Sequence, residues 1–243
     1  MDYKTISSGF MHEKGSLIDT QTSYVLPLAL GVVEGDMARR MAENLRLTIE
    51  RENTMDNGRK APVYSLLTGF IGTAWISKAL SDAGMTDVAY RLLLQEDYPS
   101  WLYPVTQGAT TIWERLNSYT HLDGFGGNNR MNSFNHYSFG AVGAWMYNYS
   151  IGIQRDELSP GFKHFFLQPM PDPTGKMTSA QGYYDSMYGH IESSWKVEGS
   201  QVTYDFTIPA NTSATWRLPD GTTRELTSGH HHFQTRLNSF LIL

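Results

Sequence analysis

The side chains best able to do chemistry in this 243-residue chain are carboxylates and imidazoles, because it contains no cysteine. That absence removes disulfides, thiolate zinc sites and cysteine nucleophiles together. Glu114 stands in Thr111-Ile112-Trp113-Glu114, a spacing that fits a capping box with Thr at N-cap and Glu at N3. On these residues alone it serves the orphan amides of its own helix. A carboxylate fully engaged that way is a weaker base, because a hydrogen bond to the charged form stabilises it. The dipole at a helix N-terminus also favours the ionised form, which suits a base and not an acid. His136 sits near a helix start, where a histidine is commonly structural. Trp101 and Trp113 are either core residues or faces on which a sugar ring stacks.

Other groups are weaker. Glu96-Asp97 looks like an acid pair, but adjacent residues point in different directions, so the pair reads as solvated or capping. His230-His231-His232 reads as a surface turn and not a metal site, since consecutive strand residues face opposite sides. Gly126-Gly127 is followed by no Lys-Ser/Thr, so it reads as a flexible loop and not a phosphate cradle. Arg115 has two readings: pairing with a nearby carboxylate, or lying on the solvated side of its helix.

The elements that must position these residues fall into two halves. Up to about Ile153 the chain reads as helices: Gln21 to Gly35, Met37 to Arg51, Phe70 to Ala83, Thr86 to Gln95, a shorter one from near Thr110, and one from Phe134 to Ser150. Met37, Met41, Leu45 and Ile49 recur at the helical period, and Val88, Leu92 and Leu93 form another inward face. Short connections argue for antiparallel hairpins. A loop with Asp56-Asn57-Gly58 separates the second and third helices, and Tyr98 to Gly108 reads as a wall of loops. After Pro160 the period becomes two, with Val202, Tyr204, Phe206 and Ile208 alternating strictly. His190 to Lys196, Ala214 to Leu218 and Thr222 to Leu226 read as neighbouring strands, with a turn at Pro219-Asp220-Gly221. Short strands with regular turns predict a β-sandwich. The expected domains are residues 1–155, helical, and 156–243, β-sandwich.

Composition allows a sizeable core and excludes some partners. Net charge is −5, and no segment is basic enough to follow a nucleic-acid backbone. The longest apolar stretches, such as Tyr24 to Val33, fall far below the roughly 20 residues that span a bilayer. The start, Met1-Asp2-Tyr3-Lys4, lacks a secretory apolar core.

Several stretches, taken in order, resemble glycoside hydrolase family 78, the bacterial α-L-rhamnosidases. They are Leu67-Thr68-Gly69-Phe70-Ile71-Gly72-Thr73, Tyr90 to Gln95 with Tyr98-Pro99-Ser100-Trp101, Gly108 to Arg115, and Asn132 to Tyr137 with Gly140 to Gly143. Tyr188-Gly189-His190-Ile191 to Trp195 and Ile208-Pro209-Ala210-Asn211 follow in the β half. The resemblance implies the second half of an (α/α)6 barrel followed by a β-sandwich, and an inverting hydrolase of terminal α-L-rhamnosides. Such enzymes place two carboxyl groups roughly 6.5–9.5 Å apart, one protonating the leaving oxygen and one activating water. It implies Glu114 as the general base, His136 and Asn135 at the sugar, and Trp113 and Trp101 as walls of the cleft. No counterpart of the family's general acid is found. No metal or organic cofactor is implied. The expected partners are a rhamnose-containing glycoside or polysaccharide, with an N-terminal complementary half or a homo-oligomer to cover the half barrel. The competing expectation is a catalytically silent fragment, or a sugar-binding or assembly module.

Overall fold

The computed structural model describes residues 10–11, 17–55, 58–126, 130–218 and 220–236. Met1 to Lys4, Asp56-Asn57, Gly127 and Pro219, on which parts of the sequence reading fall, lie outside the described residues. The chain divides into two compact units, Met1–Val142 and Gly143–Leu243.

In the first unit, β1 (Phe10–Met11) pairs antiparallel with β2 (Leu17–Ile18). Helix α1, Gln21–Ala29, starts at Thr20, whose hydroxyl accepts from Ser23 N–H while the Ser23 hydroxyl accepts from Thr20 N–H. Helix α2, Gly35–Glu50, buries Met41, Leu45 and Ile49 along the expected stripe, with Met37 half-buried. A small ladder of β3 (Asn53–Thr54) and β4 (Lys60–Ala61) follows. The expected helix from Phe70 to Ala83 is two, α3 (Phe70–Thr73) and α4 (Ile76–Asp82). Helix α5, Thr86–Leu93, buries Val88, Leu92 and Leu93. The loop wall holds one short helix, α6, Leu102–Thr106. Helix α1 packs on α2 and α4, and α4 packs on α5. The resemblance implies half of an (α/α)6 barrel, and the packing of these described helices does not by itself establish it.

No helix begins near Thr110: residues 109–119 are turns and bends. The Thr111 hydroxyl donates to the Phe134 carbonyl, so the pairing runs across the chain and no capping box forms. From Ser138 the chain is helical to Ser150, as a 3-10 turn (Ser138–Ala141), α7 (Val142–Trp145) and a π turn (Met146–Ser150).

The second unit is one six-stranded mixed sheet. Its order is β5 (Ile153–Arg155), β6 (His164–Leu167), β9 (Gln201–Arg217), β8 (Gly189–Glu198) and β7 (Ser179–Ser186), with β10 (Thr223–Arg236) pairing β9. It is not purely antiparallel as expected, because β6 runs parallel to β9. The strands anticipated at Gln201–Ile208 and Ala214–Leu218 belong to one strand, β9. Its first half pairs with β8 and its second with β6, while β10 follows both. Phe206 and Trp216 would lie about 33 Å apart on a straight strand, yet their rings are 5.6 Å apart. The strand therefore folds back between them, at Pro209 to Thr212, where Asn211 has a φ of 61°. The bend brings residues from the two halves of β9 together within one continuous sheet. Gly152 lets β5 enter the unit: with φ +73°, a Cβ there would lie 2.1 Å from the Pro169 nitrogen.

His230-His231-His232 lies in β10 and not in a turn. His230 and His232 share one face, with Nδ1 atoms 3.0 Å from Thr207 Oγ1 and 2.7 Å from Asp205 Oδ1; His231 Nε2 faces the Thr227 carbonyl. Among the described residues no group of three or more His, Asp or Glu side chains could hold a metal ion. None of the described helices is long and apolar enough to cross a membrane.

Candidate active site

A cavity of about 790 Å³ opens in the first unit, with Asp19, Arg51, Phe70, Tyr98, Glu114 and Phe139 among its lining residues. Its volume lies in the upper part of the ~300–1,000 Å³ range of small-molecule sites. Loops make most of its wall, and buried polar groups fix them. Gln21, 2% exposed, uses both ends of its amide: Nε2 donates to the Ser65 carbonyl at 2.9 Å, and Oε1 accepts from Leu67 N–H at 2.8 Å. Leu66 N–H donates to the Pro99 carbonyl at 2.8 Å. Thr73 Oγ1 donates to the Gly69 carbonyl at 2.9 Å and lies 2.7 Å from Thr68 Oγ1. Burial pushes the Tyr98 phenol up, so it meets the cavity as a neutral hydroxyl.

Glu114 is half-buried on this wall. Its backbone N–H donates to the Ser133 carbonyl at 2.9 Å, and His136 N–H donates to the Ile112 carbonyl at 2.8 Å. These bonds lay residues 112–114 beside 133–136 as an irregular ladder. The Glu114 carboxylate accepts from Ser133 N–H at 2.9 Å. With no helix here, the dipole expected to act on Glu114 is absent, and this loop amide orients the carboxylate instead. Arg115 donates from Nη2 to Asn132 Oδ1 at 3.0 Å, bracing the same two segments.

His136 is packed between rings, stacked on Phe70 at 4.9 Å and on Tyr137 at 5.4 Å. Its Nδ1 accepts from Ser138 N–H at 3.4 Å, which in the neutral ring leaves the proton on Nε2. Asn135 is exposed, with its N–H donating to Ser133 Oγ at 3.2 Å, and neither Asn135 nor His136 is among the residues lining the cavity. Trp101 and Trp113 are buried and do not line the cavity. The Trp101 indole donates to the Phe139 carbonyl at 3.0 Å, and Trp113 packs edge-on against Tyr119 and Phe134. They support the wall from behind; Phe70, Tyr98 and Phe139 form its aromatic surface. Glu96, Asp97 and Asp123 are exposed and lie outside the lining.

The sequence reading passed over Asp19, which also lines the cavity. Its Oδ1 accepts from the Tyr24 phenol at 2.9 Å, and its Oδ2 meets Arg51 Nη1 at 2.8 Å. Burial first, then the hydrogen bond to Asp19, push the Tyr24 pKa from 10.0 up to about 12. A raised folded-state value means stabilisation that is complete below pH ~10 and lost as pH climbs through the folded value. In an absorbance titration of the folded chain, Tyr24→Phe is expected to remove one tyrosine from the fraction that ionises late, near pH 12. Loss instead of a step at ordinary tyrosine pH would contradict the Asp19 contact.

Residues 3–150 match the model of the bacterial α-L-rhamnosidase 6 hairpin glycosidase domain, and residues 152–233 match that of the bacterial α-L-rhamnosidase C-terminal domain. The chain belongs to the bacterial α-L-rhamnosidase family. An α-L-rhamnosidase of Formosa agariphila is 35% identical over 99% of this chain and 25% of its own length. One from Streptomyces avermitilis is 37% identical over 83% of this chain and 18% of its own length. Among solved structures, the Streptomyces avermitilis α-L-rhamnosidase complexed with L-rhamnose superposes with a TM-score of 0.79 at 33% identity, covering 96% of this chain and 23% of that one. The native enzyme from Aspergillus terreus gives 0.79 at 30% identity, covering 93% and 25%. This rhamnosidase-family chain thus spans about a quarter of the length of the relatives it matches over nearly its whole length.

Proposed function

We propose that this chain is part of an inverting α-L-rhamnosidase that hydrolyses terminal α-L-rhamnosides of glycosides or polysaccharides, with Glu114 as the general base. The observation that carries this reading is the placement of Glu114: a half-buried carboxylate on the wall of the 790 Å³ cavity, with one oxygen held by Ser133 N–H. A carboxylate so oriented retains lone pairs for a water proton. His136 lies behind the cavity-lining Phe70, which stacks on its ring, and in this reading its Nε2–H serves a rhamnose hydroxyl or Glu114 once the full cleft is assembled. Residues 1–155 would form half of an (α/α)6 barrel and 156–243 the β-sandwich, with the general acid on a segment outside these 243 residues.

A complementary half of the barrel would cover apolar surface of the first unit. Among the exposed apolar side chains of the first unit are Ile71, Leu30, Val105 and Leu47, each more than half exposed, and such surface promotes association. The purified chain is expected to release no rhamnose from an aryl rhamnoside, whereas the same chain extended to a complete six-hairpin domain releases it. Turnover by the 243-residue chain alone would overturn this division of labour and point to Asp19, the other carboxylate on the cavity wall, as the acid.

A further inference from the structure

The Asp19 cluster does more than the base reading requires. Arg51 is the C-cap of α2, where the negative end of the helix dipole favours a cation. Asp19 immediately precedes Thr20, the N-cap of α1, where the positive end favours an anion. Asn53 completes the cluster: its Oδ1 accepts from Arg51 Nε at 3.1 Å, while its Nδ2 donates to the Thr48 and Arg51 carbonyls at 2.8 and 3.1 Å. The guanidinium is thus clamped at Nε and Nη1, and Nη2 has no partner among the described residues. Its side chain is 47% exposed, and Asp19, Arg51, Asn53 and Thr48 all line the cavity that holds Glu114.

Resting on the reading of that cavity as a rhamnoside site, we infer that Asp19, Arg51 and Asn53 form a second sugar subsite, binding the neutral sugar to which rhamnose is attached. A sugar hydroxyl is both donor and acceptor, and this wall offers guanidinium hydrogens beside carboxylate and amide oxygens. Asp19 compensates the Arg51 charge, so the pair suits a neutral polyol better than a uronate or sulfate. The cavity wall has an aromatic part at Phe70, Tyr98 and Phe139 and a polar part at Arg51, so rings and hydroxyl groups both find partners on it. Arg51 is a specificity residue in this scheme and takes no part in proton transfer. As a staple between α1 and α2 alone, the pair would leave sugar selectivity untouched.

The test is a calorimetric or NMR titration of the chain with L-rhamnose and with a panel of rhamnosyl-glucose disaccharides differing in linkage. At least one disaccharide is expected to bind about tenfold or more tightly than rhamnose, the scale of a hydrogen bond to a charged group. Arg51→Gln should abolish that advantage, lowering disaccharide affinity about tenfold more than rhamnose affinity. Asp19→Asn, which can still accept the Tyr24 hydrogen bond, should reduce it, and circular dichroism verifies that both variants fold. An advantage that survives Arg51→Gln, or none in the native chain while rhamnose binds, overturns the subsite and leaves the rhamnoside reading standing. Tighter binding of a rhamnosyl-uronate than of the neutral disaccharides overturns the choice of ligand. Failure of rhamnose and of every disaccharide to bind, repeated in a chain carrying the complete six-hairpin domain, overturns the rhamnoside reading of the cavity and the subsite with it.

Discussion

Glu114→Gln, made in a chain carrying the complete six-hairpin domain, is expected to slow rhamnose release by about 10²–10⁴-fold, the usual worth of general acid–base assistance. The substitution is close to isosteric, and the glutamine carbonyl can still accept the Ser133 N–H that holds the native carboxylate at 2.9 Å. The ladder between residues 112–114 and 133–136 is made by backbone groups and survives as well. What disappears is the acceptor for the water proton, so kcat should fall while KM changes little. Glu114→Asp, which withdraws the carboxylate by one methylene, should lie between the two, because the acceptor is kept and its position is not. Rates of aryl-rhamnoside cleavage measured across pH for the three proteins decide the matter. A fall of less than about tenfold for Glu114→Gln, in a protein with unchanged circular dichroism, would remove the base role from this residue.

Parts of this arrangement were legible in the sequence because they depend on local period. The four-residue spacing of Met41, Leu45 and Ile49 marks the buried stripe of α2, and the alternation from Val202 to Ile208 marks the start of β9. Features set by distant partners were not legible. Thr111 and Glu114 have the spacing of a capping box, but the Thr111 hydroxyl goes to Phe134 and the Glu114 carboxylate to Ser133, about twenty residues on, so no helix forms. The bend at Pro209 to Asn211 looks like a strand end on local rules, since proline cannot donate to a ladder. Pairing with β10 instead carries the strand through with only an irregularity between Thr227 and Gly229. Edge strand β7 escaped notice because its exposed Tyr183 and Tyr184 break the alternation. Asp19 carries no local signature at all: only the packing of α1 on α2 brings it to Arg51. Likewise, a count of tryptophans does not distinguish a sugar platform from a core, and here Trp101 and Trp113 are core.

The bend in β9 makes one residue unusually consequential. Trp216 is 1% exposed, stacks on Phe233 at 4.4 Å, and meets Tyr204 and Phe206 at 5.4 and 5.6 Å. The first half of β9 and the end of β10 therefore converge on it, and it joins the faces that the fold-back brings together. Trp216→Ala is expected to destabilise the sheet unit by about 3–5 kcal/mol, the range for emptying a buried indole site. The upper part of that range is favoured because the surrounding strands are tied by continuous ladders and cannot collapse into the void. Trp216→Phe keeps an aromatic face towards Phe233 and should cost distinctly less. Thr203→Ala, at a half-buried position on the opposite face of the same strand, should cost no more than about 1 kcal/mol, the span of strand propensity. Urea unfolding followed by far-ultraviolet circular dichroism reads all three, and the native slope with denaturant should be retained. If Trp216→Ala shifted the transition no more than Thr203→Ala, the aromatic cluster would not be what holds the folded strand in place.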